Sequence, residues 1–447
     1  MPKDFELMTY PERADFMLAT DSVRMRPLFV EKLGGMTGET IKIKSFFVTR
    51  AYPRKDGGFS IQYELNFDQP DKSTPKKLLL WGHLLASSQP TPGYISEKKN
   101  RSFFIEDVRL AVPVFPYDPE LKHLGGYFGT GEKTRQKLRS VPLLRDNDFE
   151  ITECQVLGYR LERRCVLRYT LKIGGDRGSE KRQVVVKVGR PSHVAKVLEI
   201  SRRLSDSGFA DNSSDCLTVP RIFAVDQESG AIFMEAVPGK SLHSLIDNPD
   251  FHDYCHSAGA ILAKFHSMTL EHLHPYSVSD EIENLREIVD FAIEIFPVSG
   301  DIFSAAIDRL TAHGPDRNYP STCVHRDFYD KQILFSPKRI TLLDCENAAI
   351  SDPALDLGNF EAHLALRELQ SPDSSSIINK GLSKFENCYC IADKGFKVRA
   401  GWWRAASLIR LAALYSFRPR WRSVTAELLK EADSFFTHNK VFSGEKV

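Results

Sequence analysis

Residues 325–335 read His-Arg-Asp-Phe-Tyr-Asp-Lys-Gln-Ile-Leu-Phe, and residues 342–346 read Leu-Leu-Asp-Cys-Glu. The short apolar runs in these two pieces predict the strands of a polar hairpin. Asp327 and Gln332 fall on the loop that enters it, and Asp344 falls at the end of its second strand. Transfer of a phosphoryl group requires a carboxylate at the attacking hydroxyl and oxygen ligands that hold Mg²⁺ on the phosphates. Asp327 supplies the first, and the Gln332 amide oxygen with the Asp344 carboxylate supplies the second. A solvated surface hairpin has no need for these groups in this order.

Outward from this stretch, the chain after Gly239 reads as mainly helical. Before it the pattern is that of strands. Cys165, Leu167, Tyr169, Leu171 and Ile173 alternate with Val166, Arg168, Thr170 and Lys172, the period of a half-buried strand. Gly174 to Gly178 turns the chain, and Gln183 to Val188 returns with Lys187 on it. Pro191 and Ser192 open a helix whose apolar face runs through Val194, Val197, Leu198, Ser201 and Leu204. Strands near 221–225 and 231–235 follow. The expected fold class is α+β, a bilobal kinase-like arrangement with a small antiparallel-sheet lobe over residues 146–239 and a helical lobe over residues 240–447.

Residues 1–145 read as a separate accessory α+β domain. Residues 40–52 and 58–67 flank a good hairpin turn at Arg54-Lys55-Asp56-Gly57-Gly58. Further strands are expected over residues 76–86 and 102–115, with a loop from Ser87 to Asn100 between them. No metal or nucleophile constellation is present in this section. It is therefore expected to stand outside the nucleotide site.

Bulk composition narrows the partners. The 447 residues carry a formal net charge of +1, with 42% hydrophobic and 27% charged residues. That balance points to no nucleic acid and no anionic membrane surface. No apolar run reaches the length of a membrane span, and the first residues lack a secretory h-region. Eight cysteines are scattered, with only Cys388 and Cys390 close together, which reads as free thiols in a reducing cytoplasm.

The 325–346 segment resembles the aminoglycoside phosphotransferase and choline kinase superfamily, whose loop reads H-x-D-x-x-x-x-N and whose metal Asp follows an apolar strand. Asp352-Pro353-Ala354-Leu355-Asp356-Leu357 is similar to that family's D-P-x-x-D-L segment. The resemblance implies ATP and Mg²⁺ as cofactors, with a small-molecule hydroxyl as acceptor. It implies Asp327 as catalytic base, and Gln332 and Asp344 as metal ligands. It also implies Lys187 on the phosphates, steadied by Glu199 on the following helix. Phe233 to Gly239 looks like the inter-lobe connector, so the backbones of Glu235 and Val237 are expected at the adenine. Leu262-Ala263-Lys264-Phe265-His266 resembles the family's L-A-x-L-H helix, with His266 and His325 in structural roles.

Two departures stand out. Gln332 replaces the usual Asn, keeping the amide oxygen on a longer stem. Maltokinases, a branch of the superfamily, look similar here and in Asp344-Cys345-Glu346, which implies a sugar-like acceptor. The phosphate-covering turn, Val156 to Cys165, has one glycine in place of a glycine-rich series, leaving Arg163 and Arg164 as candidate phosphate donors. The paired Trp402 and Trp403 are expected in the helical core rather than at a sugar ring. A nucleotide-binding pseudokinase is the alternative reading, and a protein kinase, lacking D-F-G and A-P-E segments, ranks last.

Overall fold

The turn at Arg54 to Gly58 closes a hairpin between strands Ile43–Pro53 and Phe59–Phe67. Arg54 N–H donates to the Gly58 carbonyl at 2.8 Å, and Gly57 sits at φ 91°. A side chain on Gly58 would meet the Leu84 carbonyl at 2.5 Å, so the close approach requires glycine there. The computed structural model describes residues 11–38, 40–67, 76–97, 100–174, 180–270, 273–315, 319–389 and 394–438. Most of the glycine turn expected at 174–178 lies outside the described residues.

The first hairpin belongs to a five-stranded antiparallel sheet completed by Lys76–Leu84, Leu110–Pro113 and Ser102–Ile105. The single strand expected over 102–115 is therefore two. A short helical turn, Glu106–Val108, followed by Arg109 at φ 51°, folds it back on itself. Two helices absent from the sequence reading, Arg13–Ala19 and Ser22–Thr37, precede the sheet. Asp21 caps the second by accepting from the Val23 and Arg24 amides. Its Met25, Phe29 and Leu33, at four-residue spacing, bury one stripe against Phe46 and Tyr63.

A second antiparallel sheet forms the small lobe, in the order Ile222–Asp226, Ala231–Glu235, Glu180–Gly189, Arg164–Ile173 and Phe149–Arg160. The helix Pro191–Leu204 packs beside it. The large lobe is helical, with Phe251–His266, Val278–Ile295, Ala354–Gln370, Ser375–Tyr389 and Lys394–Ser416 as its main members. The hairpin Ile333–Phe335 with Ile340–Leu342 is set among them. Gly239, at φ 128°, closes the connector between the lobes, where a Cβ would lie 2.2 Å from the Phe335 carbonyl.

Residues 1–145 share hydrophobic cores with both lobes. Phe59 packs on Phe291 at 5.6 Å and on Phe417 at 5.2 Å, while Phe16 meets Phe296 at 6.0 Å, all from the large lobe. Ala51 N–H also donates to the Phe417 carbonyl at 3.0 Å. On the other side Trp81, Leu124, Tyr127, Leu138 and Leu144 join the core of the small-lobe sheet around Leu167, Tyr169 and Phe233. One segment thus bridges the two lobes.

Candidate active site

Cys323, Val324 and Phe328 are buried apolar anchors that hold the 325–332 loop in the large lobe, and its backbone is fixed by carboxylates. Asp356, itself fully buried, accepts from the amides of His325 at 2.6 Å and Arg326 at 2.8 Å. His266 Nε2 donates to the same carboxylate at 2.9 Å, and its other ring nitrogen meets the Tyr389 hydroxyl. His325 spans the gap to the next strand, with Nε2 at 2.9 Å from the Leu343 carbonyl and Nδ1 accepting from the Asp327 amide at 3.2 Å. Both histidines therefore orient the loop. Asp330 is buried against Arg367 at 2.7 Å, with His243 at 2.8 Å from the same oxygen.

This scaffold presents Asp327 and Gln332 together, with Gln332 Nε2 donating to Asp327 Oδ2 at 3.1 Å. That bond leaves the Gln332 Oε1 as the amide's acceptor. Burial lifts the Asp327 carboxyl above its ordinary range, and His325 and Arg410 only partly counter it. Asp344 follows at φ 59° and Arg326 stands at φ 67°, two left-handed non-glycine residues flanking one site. Burial would raise the Asp344 carboxyl too, but Lys187 and Arg164 outweigh it and hold the group below the usual carboxylate range.

Lys187 Nζ lies 3.0 Å from Asp344 and 2.6 Å from Glu346. Glu199, the expected partner, is exposed on the far side of its helix and pairs with Arg203 at 2.5 Å. Helical phase explains the difference, because Val197, Ile200, Ser201 and Leu204 are the residues of that helix that face the cleft. The carboxylate beside Lys187 is Glu346, two residues past Asp344, and its position in the quoted segment was the signal for it.

These groups end a cleft of about 500 Å³. Val166, Val185, Met234, Leu334 and Leu342 line its apolar part beside the connector residues Glu235, Ala236 and Val237. The Glu235 side chain is taken by Arg339, and its amide donates to the Arg221 carbonyl at 2.9 Å. Lys187, Gln332, Asp344, Glu346 and Arg164 form the polar end. Arg164 reaches Asp344 at 3.2 Å and Glu346 at 3.0 Å, whereas Arg163 is exposed on the turn and does not line the cleft.

Residues from the section before 146 reach the cleft. Arg50, Tyr52 and Trp81 line its outer wall. Three polar links also pin the turn between strands 149–160 and 164–173. Trp81 Nε1 donates to the Tyr159 carbonyl at 3.0 Å. Asp118 accepts from the Tyr159 hydroxyl and the Glu162 amide, each at 2.9 Å. Arg54 pairs with Glu162 at 2.9 Å and meets His83 Nε2 at 2.7 Å. Burial, with Arg54 adding to it, drops the His83 ring to about 3, so it stands neutral in this network.

Trp402 and Trp403 are both buried, with indole N–H groups on the Leu310 carbonyl at 3.0 Å and on Asp352 at 3.3 Å. They fill the core. The seven described cysteines are unbridged, and Cys390 lies outside the described residues. Among the described residues no helix is long and apolar enough to cross a membrane.

With this geometry in view, residues 173–372 match the profile of the phosphotransferase enzyme family. Solved structures similar to the chain include a choline/ethanolamine kinase family protein from Mesorhizobium loti, 14% identical with a TM-score of 0.44, covering 70% of this chain and 96% of that one. An ethanolamine kinase from Plasmodium vivax is 11% identical, with a TM-score of 0.44 over 72% of this chain and 89% of its own. A macrolide 2′-phosphotransferase from Brachybacterium faecium is 17% identical, with a TM-score of 0.40 over 69% and 99%. No curated protein matches the chain.

Proposed function

We propose that the protein transfers the γ-phosphoryl group of ATP, with Mg²⁺, to a hydroxyl of a small, sugar-like molecule. The observation that carries this reading is the meeting of Lys187, Gln332 and Asp344 at one end of a cleft whose other end is apolar and borders the lobe connector. The apolar part suits an adenine ring against the backbone of residues 235–237. Lys187 and Arg164 are the cations at its polar end that face the phosphates in this reading.

Asp344 and the Gln332 Oε1 are a hard-oxygen pair that fits Mg²⁺, which takes one or two protein ligands and completes its octahedron with phosphates and water. When bound, Mg²⁺ neutralises charge on the phosphate oxygens. Asp327 receives the hydroxyl proton, and its raised proton affinity suits that task. Gln332 Nε2 and the Asp327 amide bond to His325 fix its carboxylate, so positioning precedes proton transfer. The glycine-poor turn is held by residues 54, 81 and 118, which substitutes rigid fixation for backbone adaptability.

The test is incubation with Mg-ATP and a panel of sugars, sugar phosphates, sugar acids, amino alcohols and aminoglycosides, read as labelled phosphate transferred to the acceptor. Transfer to a panel member is the expected result. Mg-dependent nucleotide binding with no transfer would favour the pseudokinase reading, for which the single glycine in residues 156–165 argues.

A further inference from the structure

Arg50, Arg160 and Arg164 line the cleft, while the nearby carboxylates are engaged elsewhere. Glu162 is held by Arg54, and Asp344 and Glu346 are held by Lys187 and Arg164. Among the described residues, neither Arg50 nor Arg160 has a carboxylate at ion-pair distance. Both are arranged on Tyr52 instead. The Arg160 guanidinium lies 4.3 Å above the Tyr52 ring, and Arg50 Nη1 lies 3.3 Å from its hydroxyl. Trp81 stacks near-parallel to the Tyr52 ring at 6.0 Å, and Arg50 Nε is fixed on Gln62 at 2.9 Å. The two guanidiniums are thus pre-positioned with donors to spare.

Neighbouring groups register the excess positive charge. Burial, Arg163 and Arg164 pull Arg160 down to about 10. Burial would raise the Tyr52 hydroxyl, but Arg50 and Arg418 outweigh it and lower it. Ala51 N–H, between Arg50 and Tyr52, donates to the Phe417 carbonyl of the large lobe at 3.0 Å, so this cationic wall is anchored to the lobe that carries the catalytic loop.

We propose that Arg50 and Arg160, held on Tyr52, form a subsite for an anionic group of the acceptor, which is then a hydroxy compound bearing a phosphate or carboxylate. Like charges gathered on one wall repel one another, and an anion bridging two guanidiniums relieves that repulsion through charge-assisted hydrogen bonds. A cationic amino alcohol would be repelled. The inference rests on the phosphotransferase reading of the same cleft.

The test uses the full chain saturated with Mg²⁺ and AMP-PNP, a non-hydrolysable nucleotide that fills the γ-phosphate position, titrated with inorganic phosphate in a calorimeter. Phosphate is expected to bind, and Arg50→Gln and Arg160→Gln are each expected to weaken it by about tenfold, the worth of one charged hydrogen bond. Their AMP-PNP affinity should stay within about twofold, and Arg50→Lys should recover part of the loss. No phosphate binding to the nucleotide-saturated protein overturns the subsite. Loss of AMP-PNP affinity with ADP affinity retained also overturns it, by assigning these arginines to the γ-phosphate. Failure of AMP-PNP to bind at all would instead reject the phosphotransferase reading beneath it.

Discussion

Lys187 lies 2.6 Å from Glu346 and 3.0 Å from Asp344, so one short segment supplies both the carboxylate proposed for the metal and the carboxylate that steadies the lysine. Glu346→Gln is expected to weaken ATP use by about tenfold or more, because it removes a charge-assisted bond to a half-buried ammonium. Glu199→Ala, which removes the ion pairs with Arg202 and Arg203, should stay within about twofold. Steady-state kinetics on both variants checks this, and equal losses would reject the exchange of roles. A second residue reports on pH. Burial raises the Glu361 carboxyl to about 7, with Arg404 only 3.9 Å away as a partial counterweight. The folded state then keeps a proton that the unfolded chain loses near its ordinary value of 4.5. Stability therefore falls as pH rises through that window and levels off above about 7. Glu361→Gln should raise Tm relative to wild type more at pH 8 than at pH 5. An equal shift at both would remove Glu361 from the pH dependence.

The hairpin of strands 149–160 and 164–173 carries the element-scale question, because its tip covers the polar end of the cleft without a run of glycines. Its fixation comes from Arg54, Trp81 and Asp118, and the Arg54–Glu162 pair joins residues 108 apart in sequence. Arg54→Gln leaves Glu162 part-buried without its cation. Amide exchange at residues 158–164 should rise, and ATP affinity should fall by about tenfold, the loss of one charged hydrogen bond. Unchanged exchange and affinity would show that the tip holds itself. Local patterns made the second strand of this hairpin, the lysine strand and the 325–346 loop legible in the sequence, because alternation and the spacing of Asp327, Gln332 and Asp344 are short-range properties. The partners of that hairpin were not, since no local period encodes a contact across a hundred residues. Arg50 and Tyr52, two apart on one strand, did share a face in the sequence, but nothing local said what that face met.

At the scale of the molecule, residues 1–145 join the lobes. Phe16 and Phe59 enter the large-lobe core beside Phe291, Phe296 and Phe417, while Tyr127 of the same segment reaches Asp226 of the small lobe at 2.8 Å. A bridge of this kind ties lobe closure to the accessory sheet. A chain lacking residues 1–145 exposes those aromatic faces, so it should lose cooperative unfolding and aggregate, checked by circular dichroism and light scattering. A soluble truncated chain with the Tm of the full protein would show that the segment folds apart. Whether Asp327 serves a phosphoryl transfer is decided by Mg-dependent transfer of the γ-phosphoryl of labelled ATP, to water or to a panel acceptor, by wild type and Asp327→Asn. Nucleotide affinity should be unchanged and turnover lower by about two orders of magnitude or more in the variant. Equal turnover in the two proteins would contradict that role.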